Sequence, residues 1–378
     1  MATLFIRGVF VVTTALSLAA CASGERTRLT KDQRDSLVAV MAMSVLSKDE
    51  AFKTDPKVQR AWLAATCKVS LDTRKDGNRS ESNRLLAEIE TFHAGHASSD
   101  VREMYADCMA YHAVASLKAD DPSFGSARLA DLKKLFAAHT EVQLAKPLAA
   151  ALYVEMIHSI EAQAFDRADA MIGELRRLHE AFREPPVRQL FAKGLFGRIY
   201  ADGKAVDPEL AERLLVELRA LHDDYPEADV RRSLVFALLA GSGTLGRAGA
   251  LDEAEKLVTE IQALYSRWND GDTGAILAVA LAGRLADRAA NGDAGGVLLH
   301  LDSLRDHYRA TPEPVVRRMF GLGLLASVQV SKATSDTATA QSLLDEYDRL
   351  VAAWPNDDWT RKERPGVDML RKALQTDV

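Results

Sequence analysis

The feature that most constrains this chain is a long internal repeat. The segments Leu86-Ala-Glu-Ile89, Leu129-Ala-Asp-Leu132, Ile172-Gly-Glu-Leu175, Leu215-Val-Glu-Leu218 and Val258-Thr-Glu-Ile261 share an apolar, any, acidic, apolar pattern, and their last residues are 43 apart. Two more copies follow with slips of register, Leu298-Leu-His-Leu301 at a spacing of 40 and Leu344-Asp-Glu-Tyr347 at 46, and one earlier copy falls around Leu46. A unit of this size cannot bury its apolar face alone, so stacking against neighbours must supply the core. Strand-like alternation is missing, and the stretches between punctuation are rich in Ala, Leu, Glu and Arg, the residues that cost least in a helix.

Counted from the aligned apolar residue, each unit reads as a helix, a short turn and a second helix. The first is amphipathic: Ala211, Leu214, Leu215, Leu218, Leu221 and Tyr225 form one stripe, with Glu212, Arg213, Glu217 and Arg219 outside it. The second is apolar around most of its circumference, as in 234–240, 276–282 and 320–328, which places neighbouring helices on several sides. Position +19 holds Cys108, Ala151, Gly194, Ala237 and Ala280, all small, as a close helix crossing requires. Pro186, Pro226, Pro312 and Pro355 mark the turns, and Asp166, Asp207, Asp252 and Asp293 are candidate N-caps of the first helices. The pairs Val101-Arg102, Val187-Arg188, Val230-Arg231 and Val316-Arg317 open the second helices.

With small residues in fixed columns and an Ala soon after the start of each unit (Ala168, Ala211, Ala254), the arrangement resembles the tetratricopeptide repeat superfamily over residues 32–360. It departs from that family in its longer period, against about 34 residues, and in lacking the Trp-Leu-Gly-Tyr signature. The extra residues are expected to lengthen the helices and the link between units, as in Ser242 to Gly249. The resemblance implies an all-α, right-handed α-α superhelix of seven to eight tetratricopeptide-like hairpins over 32–361. Residues 362–378 would form a capping helix and tail, with Val367 to Thr376 helical.

The first twenty residues carry Arg7, an apolar stretch from Val9 to Leu18 and small residues before Cys21. That is the three-part layout of an export signal, too short for a span that needs about 20 apolar residues. The ending Leu18-Ala19-Ala20-Cys21 resembles the lipobox of bacterial lipoproteins, which implies cleavage after Ala20, acylation of Cys21 with palmitate-type chains, and a tether over 21–31. Ala22 in place of Asp points, by the enterobacterial pattern, to the outer membrane facing the periplasm.

The acidic and basic residues, 54 against 48, are mixed along the chain and form no basic stripe, so nucleic acid is not an expected partner. With Cys21 acylated, Cys67 and Cys108 remain as an even pair on neighbouring second helices, open either to a disulfide or to separate core positions. His93, His179 and His222 all stand at position +4, where a partial positive charge suits a helix C-terminus. His93-Ala-Gly-His96 and Cys108-x-x-x-His112 could each give two metal ligands, but no third lies at a convincing spacing, so neither metal nor cofactor is expected. Gly241-Ser-Gly-Thr-Leu-Gly246 has no strand before it and reads as a linker, not a phosphate loop.

Arg102, Arg188, Arg231 and Arg317 recur once per unit and allow two readings: staples to acids such as Glu174 or Glu217, or a rim that receives an acidic partner. No catalytic constellation stands out. The expected function is a membrane-anchored envelope scaffold that binds proteins or peptides in envelope or pilus assembly or in the regulation of peptidoglycan enzymes. An enzyme acting on peptidoglycan is the alternative and would need a Glu beside aromatic residues such as Tyr265 with Trp268 or Trp354 with Trp359. A self-associating structural protein is the third.

Overall fold

The computed structural model describes residues 38–376, apart from 39, 43–44, 46–49, 97, 119–120 and 203–207. The export signal, the lipobox and the repeat near Leu46 lie outside the described residues. After a 3-10 turn at Glu50–Lys53 come fifteen α-helices: α1 (Pro56–Lys75), α2 (Arg79–Gly95), α3 (Ser99–Lys118), α4 (Pro122–Ala138), α5 (Val142–Glu161), α6 (Phe165–Phe182), α7 (Pro185–Asp202), α8 (Pro208–Asp224), α9 (Ala228–Arg247), α10 (Leu251–Trp268), α11 (Gly271–Ala290), α12 (Ala294–Ala310), α13 (Pro314–Ala333), α14 (Thr337–Ala353) and α15 (Asp358–Thr376). No strand occurs among the described residues, and no helix among them is long and apolar enough to cross a membrane. The fold is an all-α helical repeat, divided into two compact units, residues 1–191 and 192–378.

Each unit is built in two layers. In the first, the second helices α1, α3 and α5 stack side by side while α2, α4 and α6 lie along them; in the other, α9, α11 and α13 stack and α10, α12 and α14 lie along them. The first helices make no comparably close approach to one another. Long side chains span between them instead, as in Lys133–Glu174, Arg219–Glu260 and Arg305–Glu346, each with oxygen and nitrogen 2.7 Å apart.

Burial fixes the register. Ile89, Leu132, Leu175, Leu218 and Ile261 are fully buried, and so is Leu304, not merely Leu301. Taking Leu304 as the aligned residue restores a spacing of 43 on both sides, to Ile261 and to Tyr347. The slip expected at Leu301 is therefore corrected: Leu301, 43 residues from Val258 and from Leu344, opens its copy one helical turn before Leu304 on the same face, and Leu298 is exposed. In this register Gly323 joins the small column at +19, where an added Cβ would lie 3.1 Å from Leu304 Cδ2.

Wherever position +31 is described, after α1, α5, α9, α11 and α13, it is left-handed: Gly77, Gln163, Gly249, Gly292 and Ser335 have φ of 85°, 56°, 79°, 72° and 62°. The following amide reaches back across the helix end each time, as Asp293 N–H to Arg288 O at 3.0 Å and Asp336 N–H to Ser331 O at 2.8 Å, a Schellman closure. The N-cap of the next helix is position +32. Asn78, Asp293 and Asp336 cap with their side chains, whereas Ala164 and Ala250 hold the same backbone shape with nothing to cap. Asp166 and Asp252, expected as caps, lie inside the first turn, where they still oppose the helix dipole. Asp207 lies outside the described residues.

Two further expectations are corrected. The Gly241–Gly246 stretch is helical interior, part of α9, because its small residues admit a neighbouring helix: a Cβ on Gly246 would clash with the Arg284 guanidinium and one on Gly241 would meet Leu257 Cδ1 at 3.0 Å. The extra residues of the period thus lie in helices of 17 to 20 residues. The last helix begins at Asp358, earlier than 362 or Val367, since buried Trp359 packs over Gly321 and against Tyr347 and carries the helix start with it.

Candidate functional site

The recurrent arginines lie at the joints between repeats. Arg317 donates through Nε and Nη2 to Asp357 of the next repeat at 2.7 and 2.9 Å and through Nη1 to Pro312 O at 2.7 Å, and its guanidinium lies 3.9 Å from the Trp354 ring centre. Arg231 repeats the arrangement with Asp270 at 3.2 Å, Pro226 O at 3.4 Å and Trp268 at 4.5 Å. Arg102 pairs with Glu141, and buried Arg188 donates to Arg183 O at 2.7 Å. The hydrogen bond from Arg317 holds the Asp357 carboxyl below its usual range, and that from Arg102 does the same for Glu141. These side chains are engaged and shielded, not offered along a rim. Their acids are also not the expected ones, since Glu174 is taken by Lys133.

Two joints depart from this pattern, at Gly274 and at Ala145, and the second is left open. In the repeat of Leu132, position +13 is Ala145, although the next repeat supplies a ring, Phe182, and an acid, Glu184, at the positions that Trp268 and Asp270 occupy for Arg231. Position +16 is Leu148 there, as it is Leu234 and Leu277 in two other repeats, whereas Tyr105, Phe191 and Phe320 hold it in three and stack on His93, His179 and Tyr308 at 4.1, 5.7 and 4.9 Å. Ala145 and Leu148 thus lack the arginine and the ring together, as do Gly274 and Leu277 in the repeat of Ile261, where His307 and Tyr265 close on Gly274. A groove of about 340 Å³ opens between α4, α5 and α6. Phe136, Leu148, Leu152, Leu178 and Phe182 line it, with Phe136 and Phe182 edge to face at 5.6 Å and the Lys133–Glu174 pair at its mouth. Sequence reasoning missed the groove because Ala145 and Leu148 are ordinary residues until the register shows what they replace.

A second cluster lies where α1 and α3 cross. Cys67 and Cys108 are joined by a disulfide with their Cα atoms 5.8 Å apart, the bridged of the two readings. His112, one turn beyond Cys108, lies with both sulfurs so that all three ligand atoms fall within 4.8 Å of one another. Chain spacing hid this third member, because Cys67 comes from the preceding repeat. His112 is fully buried, and neither ring nitrogen has a hydrogen-bond partner. Burial, with the charges of Arg74 and Arg128, pushes its pKa down to about 3.

The other histidines serve packing. His93 and His222 are lowered from their ordinary values chiefly by burial, which keeps them uncharged at neutral pH and replaces the helix-end cation expected of them. His93 stacks on Tyr105, and His96 on Phe92 at 4.0 Å, so the His93/His96 pair points into separate ring contacts. The aromatic pairs considered beside a catalytic Glu are also part of joints: Tyr265 donates to or accepts from Thr311 Oγ1 at 2.8 Å, and the Trp354 indole donates to Tyr308 Oη at 3.1 Å. The chain matches no family model, no curated protein and no solved structure.

Proposed function

We propose that this protein is a scaffold anchored through an acylated Cys21 to a membrane of the cell envelope, and that it binds a protein partner in the groove between α4, α5 and α6. The tether rests on the lipobox of the sequence. The binding reading is carried by a single observation: at the joint of Ala145 and Leu148, which lacks both arginine and ring, an apolar groove is left open, whereas the joint of Gly274 and Leu277, which lacks both too, is closed by His307 and Tyr265. Its volume suits one aromatic or two aliphatic side chains, and binding pockets commonly begin at about 300 Å³. The occupant is therefore an extended partner segment that offers an aromatic side chain to Phe136 and Phe182, with polar backbone at the Lys133–Glu174 mouth.

The test refills the groove with the pair that two other repeats hold at these positions, Arg188 with Phe191 and Arg317 with Phe320. Crosslinking in cells, followed by mass spectrometry of captured proteins, compares the natural chain with the pair Ala145→Arg and Leu148→Phe and with Cys21→Ser. One dominant partner that is lost on refilling supports the groove, and loss in Cys21→Ser supports the tether. A partner that survives refilling refutes the groove as its site.

A further inference from the structure

We infer that Cys67, Cys108 and His112 form a site for a soft monovalent metal ion, Cu(I), when their disulfide is reduced. The three ligand atoms come from two helices that pack side by side, so the geometry is held by the fold and not by a loop. His112 packs edge to face on Phe124 at 6.3 Å, but it is fully buried and neither ring nitrogen has a hydrogen-bond partner. A buried, unpaired imidazole costs about 1–3 kcal/mol, and such a group is usually satisfied by a ligand or displaced by an apolar residue. Thiolate and neutral imidazole are the ligands that soft first-row ions prefer. Structural zinc is held by four ligands, whereas this cluster supplies three, which favours an ion content with lower coordination.

The chemistry balances with a dithiol as reductant. Two electrons and two protons pass from the dithiol to the Cys67–Cys108 bond, giving two thiols and the reductant's own disulfide. Binding of Cu(I) then releases the two thiol protons and leaves a complex of charge minus one, with two thiolates and a neutral imidazole. Arg74 and Arg128, whose charges already bear on His112, offset that negative charge. At about 2.3 Å per metal–sulfur bond, the two sulfurs must part by roughly 1.5–2 Å, within reach of side-chain rotation on fixed helices. A cleft of about 60 Å³ lined by Leu71, Arg74 and Ser116 lies one turn of α3 beyond His112.

The full chain, reduced with a dithiol without oxygen, is titrated with Cu(I) against a chromophoric Cu(I) chelator, and the ligand set is read by X-ray absorption. The expected result is one ion per chain with two sulfur and one nitrogen neighbours, and no binding by the oxidised chain. His112→Leu should weaken binding at least tenfold while its melting temperature rises, because it removes an unpaired buried polar group; this separates a lost ligand from a lost fold. Reduced protein that binds no more Cu(I) than a Cys67→Ser/Cys108→Ser chain, or that binds as tightly with His112→Leu, would overturn the inference. Loss of helical dichroism on reduction would also overturn it, since the site requires α1 and α3 in place.

Discussion

The turns between second and first helices form a natural set of comparisons, from which stability changes can be worked in advance. Gly77-Asn78 and Gly292-Asp293 have both the residue suited to positive φ and a capping side chain. The turn at Gln163-Ala164 has neither, Gly249-Ala250 lacks only the cap, and Ser335-Asp336 lacks only the glycine. A side chain held in the left-handed region costs about 1–2 kcal/mol, and glycine's extra freedom in the unfolded chain returns about 0.5–1 of that. Gln163→Gly should then stabilise by about 0.5–1 kcal/mol. Ala164→Asn adds about 1 kcal/mol, since the backbone at Ala164, φ −87° and ψ 66°, matches that of Asn78, φ −83° and ψ 71°. With unfolding entropy near 2.1 cal/mol/K per residue, a combined gain of about 1.5 kcal/mol raises Tm by about 5 °C if roughly 130 residues melt together, and by about 2 °C if the whole array does. The assay is thermal melting by circular dichroism at neutral pH. Ser335→Gly and Ala250→Asn should each give about half the gain of the double variant, and Asn78→Ala should lose what Ala164→Asn gains. A Gln163→Gly chain that melts below the natural one refutes the reasoning, because it would mean that the Gln163 side chain contributes more than its backbone costs.

Arg317→Met should destabilise by about 2–3 kcal/mol, measured by urea unfolding, because it removes two charged hydrogen bonds to Asp357 and leaves that acid beside Trp354 without its cation. Since Arg317 holds the folded Asp357 pKa below its unfolded value, the contribution is present above about pH 4 and is lost as pH falls through the folded pKa; the Arg317→Met chain should show a flatter acid limb. His112 gives a second pH window. Its folded pKa of about 3 lies below an unfolded value near 6.5, so the unfolded state takes up the proton first and stability falls as pH drops from about 6.5 towards 3, an effect absent in His112→Leu. Reduction of the Cys67–Cys108 bridge, which spans 41 residues, should cost about 4 kcal/mol by loop-closure entropy, read as a drop in Tm under dithiol.

Helix class, the two-helix unit, the small column at +19 and the wet and dry helices were legible in the sequence, because each is a periodic signal repeated several times. What failed was local choice between neighbours that satisfy the same period. Leu301 and Leu304 share a helix face and are both buried, so the choice between them rests on the 43-residue spacing to Ile261 and Tyr347 and on the exposure of Leu298. Asp166 and Asp252 resemble caps because acids near a helix start are favourable anywhere in the first turn, while the cap position itself is held by Ala164 and Ala250. The glycines of α9 resemble a loop in one dimension and are contact residues in three, since Gly246 makes room for Arg284. The arginine column was visible, but its partners lie 39 or 40 residues away in the next repeat, beyond any local pattern. The same holds for Cys67, which completes the Cys108–His112 pair only because consecutive second helices stack.

The joints also argue where function should be sought in a repeat array. A joint must be filled, and this chain fills its joints in different ways. Three use an arginine tied to the next repeat, at Arg102, Arg231 and Arg317. At Gly274, where position +13 has no side chain, the space is closed by His307, which bonds Gly274 O at 2.8 Å, and by Tyr265, whose ring would lie 2.9 Å from an added Cβ. Loss of the arginine and of the ring at +16, which is Leu277 here, therefore does not by itself open a groove, because another ring pair can take their place. At Ala145 no such replacement closes the surface, and Phe136 and Phe182 stay half-buried on either side of the opening. An apolar opening left in water costs free energy that Arg and Phe at two positions would recover, and the same chain places that pair at two other joints, Arg188 with Phe191 and Arg317 with Phe320. Persistence of the opening is then accounted for by an occupant, and the refilled chain, more stable but unable to capture its partner, is the outcome that this account requires.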